Sequence, residues 1–166
     1  MSRLKKNGGI TLGIPTIEDI EFVSTMVRDS DRKDLEGLHP GKTVKDIIMN
    51  DVKYSKVVYG LYLNGVIHGV FGVIPLDKAG KGTPWVVGTK GVDKCPLMFA
   101  RTSQSLLDML QKCFPVLDTW VCCENSISLS WHSWCGFEFD KKKIRIGRDN
   151  YFRAVRSVAK KRKEKR

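Results

Sequence analysis

The chain has 166 residues, 42% of them hydrophobic and 28% charged, with a formal net charge of +11; this fits one globular domain large enough to bury a core and excludes a disordered chain. No apolar run approaches the roughly 20 residues of a membrane span. The basic stretch Arg3-Leu4-Lys5-Lys6 is followed by no apolar segment, so a secretory signal and ordinary export are not expected.

In chain order, residues 1–9 read as a basic N-terminal arm and residues 10–156 as the folded domain. Ile10-Thr11-Leu12 is a short strand. Thr16 caps a helix whose first turn carries Glu18 and Asp19, both favourable at that end, and Ile20, Val23 and Val27 give it one buried stripe. The polar stretch Asp29–Asp34 leads into a shorter helical piece ending near Gly37. Thr43 caps a further helix with Val44, Ile47 and Ile48 on its apolar face.

The period then changes. Val57–Leu63 and Val66–Ile74 are rich in β-branched and aromatic residues and are joined by Asn64-Gly65. Asn-Gly suits a type I′ turn, which needs positive φ at both central positions, so the pair predicts a hairpin. A loop over 77–82 joins it to a third antiparallel strand, Trp85–Gly88. Pro96 opens a helix that runs to about Cys113, because a first-turn residue needs no N–H, and Pro115 stops it. Thr119–Cys123 is a strand, and a helix from about Ser126 ends at Gly136. Phe137–Phe139, Ile144–Ile146 and Tyr151–Val155 are strand-like, with a turn at 147–150.

Residues 157–166 read as a mobile basic tail. The segment Arg156–Arg166 holds +6, and Arg3, Lys5 and Lys6 hold +3, leaving only +2 for everything between. Lys160, Lys161, Arg162, Lys163, Lys165 and Arg166 are therefore the candidate contacts to nucleic acid, through phosphate neutralisation without sequence preference; the competing reading is a solvated tail. The five cysteines (95, 113, 122, 123 and 135) are odd in number and lack a Cys-x-x-Cys pair, which points to reduced thiols in a cytoplasm rather than disulfides or zinc.

The order of elements suits an α+β fold with a mixed, mostly antiparallel central sheet and helices on both faces. The stretch from Asn125 at a strand end, through a short helix with His132 seven positions on, to Gly136-Phe137 resembles the closing motif of the GNAT N-acetyltransferases. The element order from Ile10 to Val155 matches as well. The run from Asp19 to Arg32, the strand Pro84–Thr89 and the helix Asn125–Phe137 are similar to GNAT-like internal virion or morphogenesis proteins of tailed phages. The resemblance implies acetyl-CoA as cofactor if the protein is active, held by Val87, Gly88, Lys90, Gly91 and Asn125, with the N–H groups of Val87 and Gly88 polarising the thioester carbonyl. It further implies His132 as the acid that protonates the departing thiolate, where the family commonly has Tyr. Its partners would be phage structural proteins or a host protein, in the cytoplasm of an infected host or in the virion.

Two residues or segments depart from that pattern. Active members carry a glycine-rich turn whose N–H groups cradle the pyrophosphate at a helix start. Here the turn is Thr89-Lys90-Gly91-Val92-Asp93-Lys94-Cys95-Pro96: one glycine, an acidic residue where phosphates belong, and a proline without a donor. His132, between aromatic neighbours, also reads as a packed residue. His68 has no carboxylate at partner spacing, and Ser128, Ser130 and Ser133 lack a nucleophile-elbow context. Trp85, Trp120, Trp131 and Trp134 are expected in the core or at an interface rather than as a base-stacking platform. The leading expectation is a phage GNAT-like protein that acts by binding, with catalysis weakened or lost. The alternatives are an active N-acetyltransferase and a nucleic-acid-associated module using the tail.

Overall fold

A computed structural model of the chain describes residues 4–7 and 9–158, with side chains from residue 9 onward. The six tail cations singled out above, from Lys160 to Arg166, lie outside the described residues. Among the described residues, eight strands form one sheet in the order β1-β2-β3-β4-β5-β6-β8-β7. They are β1 (Leu4–Asn7), β2 (Ile10–Gly13), β3 (Val57–Leu63), β4 (Val66–Pro75), β5 (Lys81–Gly88), β6 (Val116–Cys122), β7 (Glu138–Ile146) and β8 (Asp149–Ser157). All neighbours pair antiparallel except β5 and β6, which are parallel. This is the mixed, mostly antiparallel α+β architecture expected.

Local chemistry accounts for the elements. Asn64 and Gly65 both take positive φ, 51° and 80°, and turn β3 into β4 as the Asn-Gly signal requires. Helix α1 (Ile17–Met26) starts in a capping box: Thr16 Oγ1 accepts from the Asp19 N–H at 3.1 Å, and the Thr16 N–H donates to the Asp19 carboxylate at 3.0 Å. Helix α3 (Val44–Tyr54) is capped by Thr43, which accepts from the Asp46 N–H. Helices α4 (Pro96–Leu110) and α5 (Ser126–Trp134) fall where proline and asparagine place them.

Three segments differ from the sequence reading. The polar stretch from Asp29 is itself helical, as α2 (Asp29–Leu38); it lacks an apolar stripe because one of its faces lines a cleft. Strand β5 begins at Lys81 rather than Trp85, because Asp77 Oδ1 accepts from the N–H groups of Ala79 and Lys81 and tightens the preceding loop. The segments around Phe139 and Ile144 are one strand, β7, with a bulge between Phe139 and Lys143. Within the stretch read as an arm, Leu4–Asn7 pair with β2.

Helices cover both faces. On one, α4 packs Phe99, Leu106, Leu107 and Leu110 against Phe71, Val73, Leu117 and Val121. On the other, Ile20, Val23, Val44 and Ile48 of α1 and α3 pack against Ile67, Val70 and Val87. Arg156, counted with the terminal basic block, is 2% exposed. Its guanidinium donates to the Cys135 carbonyl (2.8 Å), Gln111 Oε1 (2.6 Å) and Asp108 Oδ1 (2.6 Å), tying β8 to the ends of α4 and α5.

The feature that positions a site is the fork between β5 and β6. Their parallel pairing covers only Lys81↔Val116 and Gly82↔Leu117. Backbone groups alternate sides along a strand. The Thr89 N–H bonds the His68 carbonyl of β4, so the even-numbered residues 82, 84, 86 and 88 direct their backbone groups towards β6. Pro84 has no N–H to give on that side, so the ladder has no donor there. Beyond it the strands diverge.

Candidate functional site

The fork opens into a cleft of about 680 Å³ bounded by α2, β5, β6, the start of α4 and α5. Val86 and Gly88 of β5, Val121 of β6, His132 of α5, Tyr151 of β8 and Asp31 of α2 all line it.

At the mouth, the connection between α1 and α2 runs along the free edge of β5. The Arg28 N–H donates to the Gly88 carbonyl at 2.9 Å, and Val27 bridges Thr89. The Gly88 N–H, which faces the cleft, donates to Asp31 Oδ2 at 2.8 Å. That carboxylate is held in turn by the Arg28 guanidinium at 3.1 Å, which also lies 3.6 Å from Asp93. Burial raises the Asp31 pKa, against the pull of Arg28 and of the Gly88 N–H. Of the two N–H groups expected to polarise a thioester, the Gly88 one is thus occupied by a side chain of the same chain. The Val87 one, by the two-residue alternation, faces Val70 of β4, and its side chain is 1% exposed in the core.

The turn where phosphates would be cradled is a 3-10 helix, Lys90–Lys94, capped by Thr89. Three donors here are spent locally: Gly91 N–H bonds Thr89 Oγ1, Val92 N–H bonds the Thr89 carbonyl, and Cys95 N–H bonds the Val92 carbonyl. Pro96 adds none. Gly91 leaves no room for a side chain, but the space is filled by the His68 ring rather than open to a ligand. His68 is itself packed edge-on against Phe99. Lys90 and Lys94 are exposed, and Asp93 faces Arg28. These residues do not fit the diphosphate of acetyl-CoA.

Asn125 sits at the start of α5, as expected. Its Oδ1 accepts from the Ser128 N–H at 3.0 Å and its amide donates to Asp34 Oδ2 at 2.5 Å. It joins the helix to α2 and does not face the 3-10 turn's residues through these bonds. His132 does share the cleft with Val86 and Gly88. Its Nδ1 lies 2.8 Å from the Ser128 carbonyl; only an N–H can bond there, so the neutral ring carries its proton on Nδ1 and leaves Nε2 bare. Trp131 and Phe137 pack edge-on against it, and burial pushes its pKa down to about 4. At neutral pH only about one molecule in a thousand is then protonated, and a bare Nε2 accepts a proton rather than giving one. The acid role does not follow from this geometry.

The sequence reading missed the polar end of the cleft. Tyr151 is 1% exposed, and its hydroxyl has no hydrogen-bond partner among the described residues. Burial, with Cys122, Asp149 and Asp34 nearby, raises its pKa to about 12, so it remains a phenol with a donor to offer. Leaving such a group unpaired costs about 1–3 kcal/mol. Asp34, pushed up by burial, and Asp51, pushed up to about 6 by burial, line the same cleft. With Asp31 and Asp93 they give four carboxylates against Arg28 in a protein of net charge +11. No spacing in the sequence announces these residues, because α2, α3 and β8 are far apart along the chain. Cys122 and Cys135 are buried, and burial pushes the Cys135 thiol up to about 12. Among the described residues no three or more His, Cys, Asp or Glu come together to hold a metal ion, and no helix is long and apolar enough to cross a membrane.

No family model matches the chain, and no curated protein matches it. Solved structures do. A GNAT-family acetyltransferase from Bacillus anthracis superposes with a TM-score of 0.68 at 13% identity, over 92% of this chain and 96% of that one. The fold is that of the GNAT N-acetyltransferases. A ribosomal-protein-alanine N-acetyltransferase from Brucella melitensis gives a TM-score of 0.66 at 13% identity, covering 89% and 99% of the two chains. A spermidine N-acetyltransferase from Vibrio cholerae, solved with CoA and spermine, gives 0.68 at 14%, covering 93% and 98%. The forked β5–β6 pair and the cleft between α2, α4 and α5 therefore belong to a GNAT architecture, whereas the Asp31 contact to Gly88 and the closed 3-10 turn are read from this chain's own residues.

Proposed function

We propose that this is a GNAT-fold protein that acts by binding, with acetyl transfer weakened or lost. In a GNAT-type cleft one half receives the acetyl-CoA and the other the amine. The donor half is closed here, because Asp31 occupies the Gly88 N–H and the Gly91, Val92 and Cys95 N–H groups of the turn are bonded locally. The acceptor half keeps its character: the Asp34 and Asp51 carboxylates and an unpaired phenol suit an amino group, such as a lysine side chain or chain terminus of a partner protein. The observation that carries this reading is the Asp31–Gly88 bond, since it places a negative charge where a thioester carbonyl oxygen would have to be polarised.

The sequence resemblance to GNAT-like proteins of tailed phages supports a setting in virion assembly or genome delivery, with phage structural proteins or a host protein as the partner, in the infected cytoplasm or in the virion. An active acetyl-CoA-dependent N-acetyltransferase is the second reading, favoured by the open cleft and by CoA in the Vibrio neighbour. A thiol-release assay with acetyl-CoA and a panel of amines separates the two. The binding reading expects no release above the uncatalysed background; turnover abolished by Tyr151→Phe would make the protein an enzyme.

A further inference from the structure

Against the acidic cleft, a row of cations lies on the outer edge of the sheet, on β7. From Lys141 to Arg148 the chain reads Lys-Lys-Lys-Ile-Arg-Ile-Gly-Arg, five cations and no anion within eight residues. All five are exposed on β7 and its turn into β8, at the outer edge of the sheet. Charged residues on an edge strand are a common guard against edge-to-edge pairing, and alone they specify no partner. A second feature lies beside them. Between α5 and the β7–β8 pair, Trp134, Phe139 and Phe152 line a shallow, open depression together with the hydroxyl-bearing Ser130 and Ser133. Trp134 is 44% exposed. Phe139 and Phe152 meet edge to face, and the Lys143 ammonium lies over the Phe152 ring at 5.6 Å. Aromatic faces open to solvent and bordered by a row of cations combine base stacking with phosphate neutralisation.

We propose that the β7–β8 edge and the Trp134 depression bind single-stranded nucleic acid. The backbone follows Lys141, Lys142, Lys143 and Arg145, and a base enters the depression against Trp134. Alternate residues on a strand lie about 7 Å apart, so an extended single strand can meet several of these cations in succession. Asp140, at the base of β7, limits the contact to the stretch beyond it. The depression shares Trp134 and Ser130 with the lining of the cleft, whereas the cations of β7 and its turn lie outside that lining, so failure of this proposal leaves the reading of the cleft standing.

The test uses the full chain and fluorescein-labelled oligo(dT) and oligo(rU) of about 12 nucleotides in anisotropy titrations at several salt concentrations. Replacing the three lysines (K141Q, K142Q and K143Q together) should weaken binding at least tenfold at low salt and lower the slope of log K against log salt by about 2, at roughly 0.7 per phosphate contact on a single strand. Trp134→Ala should weaken it about fivefold or more while leaving that slope unchanged. Circular dichroism melts confirm that each variant folds; should Trp134→Ala melt early, Trp134→Gln serves in its place. Binding that is unchanged in both variants but lost on deletion of residues 159–166 overturns the proposal in favour of the tail. Binding that ignores Trp134, or that is tighter for phosphatidylserine vesicles than for the oligonucleotides, overturns it in favour of a charge-only surface.

Discussion

Asn125 performs two tasks with opposite polarity, and replacing it separates them. Its oxygen accepts the Ser128 N–H and its amide donates to Asp34. Asn125→Ala removes the cap, at about 1 kcal/mol, and leaves a half-buried carboxylate without its donor, for roughly another 1 kcal/mol. Asn125→Asp keeps the cap, because Asp and Asn cap equally well, but sets a second carboxylate against Asp34. Two like charges at 4 Å with an effective dielectric near 20 repel by about 4 kcal/mol; with Asp34 only partly buried and both side chains free to separate, about 2–3 kcal/mol is the expected cost at neutral pH. Asp34 already has a raised pKa through burial. A carboxyl whose folded pKa lies above its unfolded value gains stability as pH falls through the folded value. A second carboxylate raises it further, so the Asp variant should recover on acidification while the Ala variant should not. Urea unfolding of the three proteins at about pH 7.5 and about pH 5 measures this. The expected order at the higher pH is wild type, Ala, Asp, with the Asp variant overtaking Ala at the lower pH. An Asp variant as stable as wild type at both values would refute the pairing of Asn125 with Asp34.

Further outcomes follow from the same structure. His132 has a depressed pKa, so its contribution is fully present above about 6.5 and is lost as pH falls towards about 4; His132→Phe should be tolerated at pH 7 within about 1 kcal/mol and should flatten that acid loss, as read by thermal melts across the range. Arg156→Met leaves the buried Cys135 carbonyl and Gln111 oxygen without donors, at about 3–5 kcal/mol, or roughly 10 °C or more in Tm for a chain of this size. Gly91→Ala drives a methyl group into the His68 ring, which should cost about 1–3 kcal/mol by calorimetry. Deleting residues 159–166, which follow the last strand, should move Tm by less than about 2 °C, whereas a deletion reaching into Arg156 should unfold the protein.

The fold was legible where local chemistry fixes it. Asn64-Gly65 announced the hairpin, Thr16 and Thr43 the helix starts, Pro96 and Asn125 the two helices that flank the cleft. The polar helix α2 was harder, because a helix whose face lines a charged cleft carries no apolar stripe to betray it. The fork has a local cause, a proline at 84 on the β6-facing edge, that needed the pairing register. The departure of the turn before α4 from a glycine-rich pattern was readable from Asp93 and Pro96. The Asp31 contact to Gly88 was not, since it depends on how the loop after α1 lies along β5. Tyr151 and Asp34 meet only because β8 and α2 converge, 117 positions apart in sequence. The net charge misled in a similar way: a net +2 over the body concealed an anionic cleft and a cationic edge, which only the fold separates.

The proposed closure of the donor half of the cleft is tested most directly by calorimetric titration of the full chain with acetyl-CoA. The account predicts a dissociation constant no tighter than the millimolar range, corresponding to about 4 kcal/mol of binding, because Asp31 holds the Gly88 N–H and the turn before α4 presents no phosphate cradle. A low-micromolar constant would contradict it, and would mean that Asp31 yields its place to the thioester and that the cleft is a working acetyltransferase site.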